Sequence, residues 1–172
     1  MFLFIIIATY ISSVILVIML IIYLIKIYEL KIIPVTMEHA DDIYAWRNDA
    51  ETRIFSFNQN IIAKEQHLDW LEKTLLDSTR ELYMVFDDEL KVGYFRLDLN
   101  KDNTKTISIV VNPIYPHRGY GRAILKQIIK KRKVSILRAE ILDTNMVSKK
   151  LFENAGFEKN EIKDGYSVYY YK

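Results

Sequence analysis

The chain opens on an unbroken apolar run and then changes character. From Phe2 to Ile25 no charged residue occurs, and Ile, Leu, Val, Phe and Met dominate. The run is about 24 residues long, and a helix crosses a bilayer core with about 20. A buried helix of a globular domain is the alternative, but such helices are rarely so long and so free of charge. No Lys or Arg precedes Phe2, and Tyr23 to Tyr28 offers no small-residue cleavage pattern, so the run reads as an anchor rather than a cleaved signal. The first cations, Lys26 and Lys31, follow it, which keeps that end in the cytoplasm. The expectation is a single-pass transmembrane anchor over 1–28 at the cell membrane, with a cytoplasmic domain over 30–172.

Beyond the run the pattern alternates between two periods. Leu30 to Thr36 reads as a strand crossing Pro34, which suits a sheet edge. Thr36 or Asp41 is placed to cap a helix through Ile43, Ala45 and Trp46. A second helix runs from about Ala63 to Leu76, with Leu68, Leu71 and Leu75 on one face. Glu81 to Phe86 and Lys91 to Leu99 predict two strands joined at Asp87-Asp88-Glu89, and Thr104 to Val111 a third. After Pro113 and Pro116 a helix over Gly119 to Lys131 turns Ala123, Ile124, Leu125 and Ile128 inward. Val134 to Leu142 is a strand, and Val147 to Asn154 is a helix stopped by Gly156. A hairpin closes the chain: Phe157 to Ile162, the turn Asp164-Gly165, then Tyr166 to Tyr171. The order β-α-α-β-β-β-α-β-α-β-β is an α/β pattern.

At 172 residues the chain fits one domain and one appendage. The net charge of +2 argues against a nucleic-acid binder, which would carry a basic stripe. Lys130, Lys131, Arg132 and Lys133 form a basic run that suits a solvated helix end, or a contact to phosphate or a membrane surface. The absence of cysteine removes disulfides and any acyl-cysteine intermediate. No metal is expected.

One loop carries chemistry. Val110 and Val111 end a strand, and Arg118-Gly119-Tyr120-Gly121-Arg122-Ala123 opens a helix. The first turn of a helix presents unpaired N–H groups and a partial positive charge, which together hold a diphosphate. Gly119 is suited to positive φ, and Gly121 lets the backbone approach phosphate oxygens without a Cβ. Arg118 or Arg122 adds charge-assisted contacts. The loop lacks the glycine spacing of a Rossmann fingerprint and the Gly-Lys-Ser/Thr of a Walker loop. A glycine turn before an ordinary amphipathic helix is the plainer reading.

Arg118-x-x-Gly121-x-Ala123 resembles the Gln/Arg-x-x-Gly-x-Gly/Ala signature of the GNAT superfamily of N-acetyltransferases. Asn145-x-x-Ser148-x-x-x-Phe152-x-x-x-Gly156-Phe157 resembles that superfamily's second segment, at the expected distance. The resemblance covers about Leu30 to Lys172. It implies a GNAT-like mixed, splayed β-sheet flanked by helices, acetyl-CoA as co-substrate, and direct transfer to an amine. It also implies that backbone groups around Ser108 to Val111, with Val110 and Val111 at the cofactor, pair with pantetheine, and that Arg118, Gly119, Tyr120, Gly121, Arg122 and Ala123 form the diphosphate loop. Asn145 would touch the pantetheine arm, or simply cap the helix from Val147. Where many relatives place a tyrosine that protonates the leaving thiolate, this chain has Phe152. Tyr115, Tyr120 and Tyr169 to Tyr171 are the other candidates for that proton.

His67 is the candidate base, one turn before Leu71 on the second helix; a partly exposed structural histidine is the alternative. With Asn145 it makes the expected catalytic set. Trp46-Arg47-Asn48-Asp49, then Arg53, Asn58 and His67-x-x-Trp70, resemble the start of N-acetyltransferases of pseudaminic acid biosynthesis. That resemblance implies a nucleotide-linked amino sugar as acceptor, met by Arg47, Asn48, Arg53, Asn58 and Trp70, in cell-surface glycan synthesis. Core packing is the plainer reading of both tryptophans. The alternatives are an acetyltransferase of protein N-termini or polyamines, and a membrane-anchored acyl-CoA-binding module without turnover.

Overall fold

The computed structural model describes residues 13–19, 30–131 and 136–172. Two compact units divide at Leu30: Met1–Leu30 and Lys31–Lys172. In the first, the described residues 13–19 are helical. Here the expected membrane anchor is corrected. Among the described residues no helix is long and apolar enough to cross a membrane. The rest of that expectation, over 1–12 and 20–28, lies outside the described residues. The single-pass location at the cell membrane and the membrane as a partner fall with it.

The second unit is a mixed sheet with helices on both faces. Its strands are β1 (Lys31–Pro34), β2 (Arg80–Asp87), β3 (Leu90–Leu99), β4 (Lys105–Val111), β5 (Leu137–Leu142), β6 (Glu158–Lys163) and β7 (Tyr166–Tyr171). Its helices are α1 (Ala40–Asn48), α2 (Ala50–Ile54), α3 (Lys64–Leu76), α4 (Tyr120–Lys131) and α5 (Met146–Asn154). The spatial order is β1-β2-β3-β4-β5-β7-β6. Neighbours are antiparallel except β4 and β5. β1 lies at the edge, where Pro34 removes no interior ladder bond.

Several local expectations shift on packing. Thr36 opens a short 3₁₀ turn, Met37–His39, before α1, and its N–H donates to Nδ1 of His39 over 3.0 Å. The buried stripe of α3 is His67, Leu71 and Thr74, whereas Leu75 is exposed. The stripe is therefore rotated by one position from the leucine pattern. α2 was absent from the pattern. Asp49 caps it, Oδ1 accepting from Glu51 N–H at 3.0 Å and Thr52 N–H at 3.1 Å. Gly156 sits at φ 92° and stops α5, with Phe157 N–H closing back on the Phe152 carbonyl.

One core fills the α1/α3 face of the sheet: Val35, Ile43, Trp46, Leu71, Leu82, Met84 and Tyr94. On the other face α4 packs Ile124, Leu125 and Ile128. The side-chain bond of Asp42 with Lys91 (2.5 Å) ties α1 to β3. Arg132 and Lys133 of the basic run lie outside the described residues.

Candidate functional site

The site follows from where β4 and β5 stop pairing. They meet only at Lys105–Leu137 and Thr106–Arg138. Beyond Thr106 the strands splay, and the β5-facing backbone of Ile107 to Val111 has no strand partner among the described residues. On its other side β4 stays laddered to β3 through Val111–Gly93. The split opens into a cleft of about 860 Å³, lined by Ile107–Val111 from β4 and Ala139–Leu142 from β5. That volume suits a cofactor-sized ligand.

The helix mouth lies at one end. Asn112 fixes the exit of β4: its Nδ2 donates to the Lys91 carbonyl (2.8 Å) and its Oδ1 accepts from Ile114 N–H (3.0 Å). The chain then passes through His117 at φ 57° and Gly119 at φ 82°. Gly119 has open space where a Cβ would stand, so the demand there is conformational rather than steric. Ala123 N–H closes the first turn on the Gly119 carbonyl (3.0 Å). The N–H groups of Gly119 to Arg122 have no partner among the described residues. Arg118 and Arg122 are exposed beside them, and the Arg118 guanidinium lies 5.2 Å from the Tyr115 ring centre. Tyr120 donates to Oδ2 of Asp87 (2.7 Å), and that bond raises its pKa above the ordinary value.

Of the residues expected at the cofactor, Val110, Val111, Arg118, Gly119, Tyr120, Gly121, Arg122, Asn145 and Phe152 line the cleft, and Ala123 does not. The Oδ1 of Asn145 caps α5, accepting from Ser148 N–H at 2.9 Å, while the residue still borders the cleft. Phe152 is 5% exposed and meets Phe157 edge to face at 4.9 Å. A diphosphate fits the unpaired N–H groups, and an amide-bearing arm fits the free edge of β4.

At the acceptor end the expected set divides. Arg47, Asn58, His67 and Trp70 line the cleft, whereas Asn48 and Arg53 do not. Asn48 clips the loop ahead of α3, donating to the Ile62 carbonyl (3.0 Å) and accepting from its N–H (2.9 Å). Arg53 donates to the carbonyls of Asn48 (3.1 Å) and Gln59 (3.0 Å). These two brace the loop that shapes the wall. Arg47 Nη2 holds the Asn58 carbonyl at 2.5 Å, while its Nη1 is buried with no partner among the described residues. Arg96, which the pattern did not single out, lies 5.8 Å from the Trp70 ring centre.

His67 is 1% exposed, and its Nε2 bonds the Ala40 carbonyl over 3.1 Å. Its ring packs between Tyr44 (5.4 Å) and Trp70 (5.5 Å). Burial lowers its pKa, against the opposing pull of the Ala40 carbonyl and Asp41. This environment favours the neutral ring. The stability of the folded state is therefore full above the ordinary value of 6.5. It should fall as pH drops below that value towards the depressed folded pKa, because the unfolded chain binds the extra proton. Urea unfolding of wild type at pH 7 and about pH 5.5 should show the loss, and His67→Gln should lack it. The carboxylates with lowered pKa, such as Asp77, Asp102 and Asp143, start from 3.8 and act in a separate, more acidic window.

The comparisons with known proteins agree with this geometry. The acetyltransferase (GNAT) domain family matches residues 29–158, and the chain belongs to that family. It is 29% identical over 131 residues to acetyltransferase PseH of Campylobacter jejuni, covering 73% of this chain and 82% of that protein. It is 31% identical over 103 residues to the ribosomal protein bS18-alanine N-acetyltransferase of Escherichia coli, covering 56% and 70%. The structure of Campylobacter jejuni PseH in complex with acetyl coenzyme A superposes with a TM-score of 0.66 at 21% identity, covering 84% and 99%. Spermidine N-acetyltransferase from Vibrio cholerae, in complex with CoA and spermine, superposes at 0.72 and 14% identity, covering 83% and 94%. At these identities the superpositions speak for the fold. The chain is an acetyl-CoA-dependent N-acetyltransferase of the GNAT type.

Proposed function

We propose that the acceptor is a primary amine on a nucleotide-linked amino sugar. The observation that carries this reading is the cationic, aromatic wall at the acceptor end. The Arg96 guanidinium lies over the Trp70 ring, and Arg47 keeps one buried nitrogen without a partner among the described residues. A ring stacked on Trp70 and a phosphate oxygen on Arg47 would meet both demands. Similarity to PseH supports the same class of acceptor. Asn48, Arg53 and Asn58 serve it indirectly, by holding the loop that carries the wall.

At the other end, the N–H groups of Gly119, Tyr120, Gly121 and Arg122 take the diphosphate, and Arg118 and Arg122 add charge. Ala123 contributes by closing the helix turn. Val111 lends the backbone groups that face the split to the pantetheine amides, and Val110, whose own backbone is laddered to Tyr94, lines the path with Asn145 and Phe152. Acetyl-CoA supplies the activated acyl group as a thioester. Val111 N–H would polarise the thioester carbonyl. His67 supports Trp70 by packing, and the amine arrives unprotonated from solvent.

A second reading has its own observation. Asp49 and Glu51 line the same wall, and acidic lining suits a polyamine or a peptide amino terminus. Thiol release from acetyl-CoA separates the two. The chain should turn over nucleotide-linked amino sugars at least about tenfold faster, in kcat/KM, than spermidine or alanine-starting peptides. The reverse order would replace the first reading with the second.

A further inference from the structure

Phe152 leaves the departing sulfur without the hydroxyl that many relatives supply, and two tyrosines that line the cleft, Tyr94 and Tyr115, have hydroxyls with no hydrogen-bond partner among the described residues. Gly93 on β3 faces α4, since a Cβ there would lie 3.2 Å from Cδ1 of Ile124. Alternation along the strand turns Tyr94 to the opposite face. There its ring stacks on Trp46 of α1, 6.2 Å between centres and 15° between planes. Tyr94 pairs in register with Val110 on β4, the strand whose far edge is free. An acyl arm entering from the mouth beside α4 and crossing the split comes out on the Tyr94 face, next to Val110. Tyr94 lines the cleft and is otherwise buried, 6% exposed.

The other cleft tyrosines stand at the mouth. Tyr120 is held by Asp87, and Tyr115 lies 6.2 Å from the Tyr120 ring. Among the remaining candidates, Tyr169 donates to Glu153 and Tyr170 to Glu161.

We infer that the Tyr94 hydroxyl donates a hydrogen bond to the leaving sulfur and stabilises the thiolate as the acyl group transfers. Nitrogen bonds to the acyl carbon and the C–S bond breaks with its electron pair on sulfur. The proton lost by the amine passes to water, which later protonates the thiolate. Tyr94 keeps its own proton throughout. Burial pushes its pKa up to about 12, against the opposing charges of Arg47 and Arg96, so the hydroxyl stays a donor across the working range. Those two guanidiniums, the second paired with Asp98 at 2.8 Å, are the charged groups that act on it. The inference rests on the acetyl-CoA chemistry alone and holds whichever amine is the acceptor.

CoA itself is the probe. The apparent pKa of the bound thiol is read from the ultraviolet difference between CoA-loaded and CoA-free protein. Tyr94→Phe keeps the ring on Trp46 and removes only the oxygen. The bound thiol should titrate about one unit higher in Tyr94→Phe than in wild type. With an amine that turns over, kcat should fall about tenfold or more, while the KM for acetyl-CoA and the melting temperature stay unchanged. Equal thiol pKa values in the two proteins would overturn the inference, as would a loss of CoA affinity and melting temperature in step. Failure of CoA to bind either protein would remove the mouth as its site, and this inference with it.

Discussion

Gly93→Ala is expected to cost the fold about 2–3 kcal/mol and to lower the melting temperature by about 5–10 °C. A Cβ at residue 93 would lie 2.5 Å from the Val110 carbonyl oxygen, 3.2 Å from Ile124 Cδ1 and 3.3 Å from Val111 Cα. The first and last of these are backbone, so no rotamer relieves them. Either β3 moves away from β4 or β4 moves towards the split. Val110 and Val111 are the residues displaced in the second case, and they line the cleft. Acetyl-CoA affinity should therefore drop together with stability. Thermal unfolding with and without acetyl-CoA checks both effects. A variant that melts with wild type would show that the strands part at little cost.

Gly121→Val should raise the acetyl-CoA Kd by about ten- to a hundredfold, while Gly121→Ala should change it little. A Cβ there would stand 3.4 Å from Leu151 Cδ2 and 3.6 Å from Val111 Cγ2, which is ordinary contact. One methyl fits between α5 and β4. The two further methyls of valine must enter the cleft or push α4 outward, and either spoils the approach of a diphosphate to the Gly121 N–H. Isothermal titration of both variants gives the comparison. Equal affinities across glycine, alanine and valine in folded proteins would place the diphosphate elsewhere. The steric demand at Gly121 thus comes from Leu151 and Val111. The loop spacing alone suggested only the phosphate side of it.

The arginines show how a residue type can be right for a site and used otherwise. Arg47 and Arg53 suggested phosphate contacts because their charge is common to such sites. Folded, both reach carbonyls of the loop after α2, and only Arg47 keeps a nitrogen for the cleft wall. Arg96 reaches the wall only because β3 lies beside α3, a neighbour relation with no local signature. Gly93 did have one: an isolated glycine inside a strand marks a close approach of backbone.

What the sequence determined by itself was local. Periodicity set the strands and the longer helices, because a buried face repeats with the geometry of its own element. The Arg118 to Ala123 loop and the Asn145 to Phe157 segment carried the family, because backbone N–H groups and cap residues act within a few residues of one another. Tertiary structure decided the rest. That β7 inserts between β5 and β6, that β4 and β5 part after Thr106, and that Tyr94 emerges beside Val110 all depend on strands far apart in the chain choosing partners. It also decided that His67 is sealed against Ala40, since exposure depends on what packs over a residue. The apolar run of Phe2 to Ile25 marks the same boundary: hydrophobicity is legible in residues, whereas its use depends on the structure those residues join.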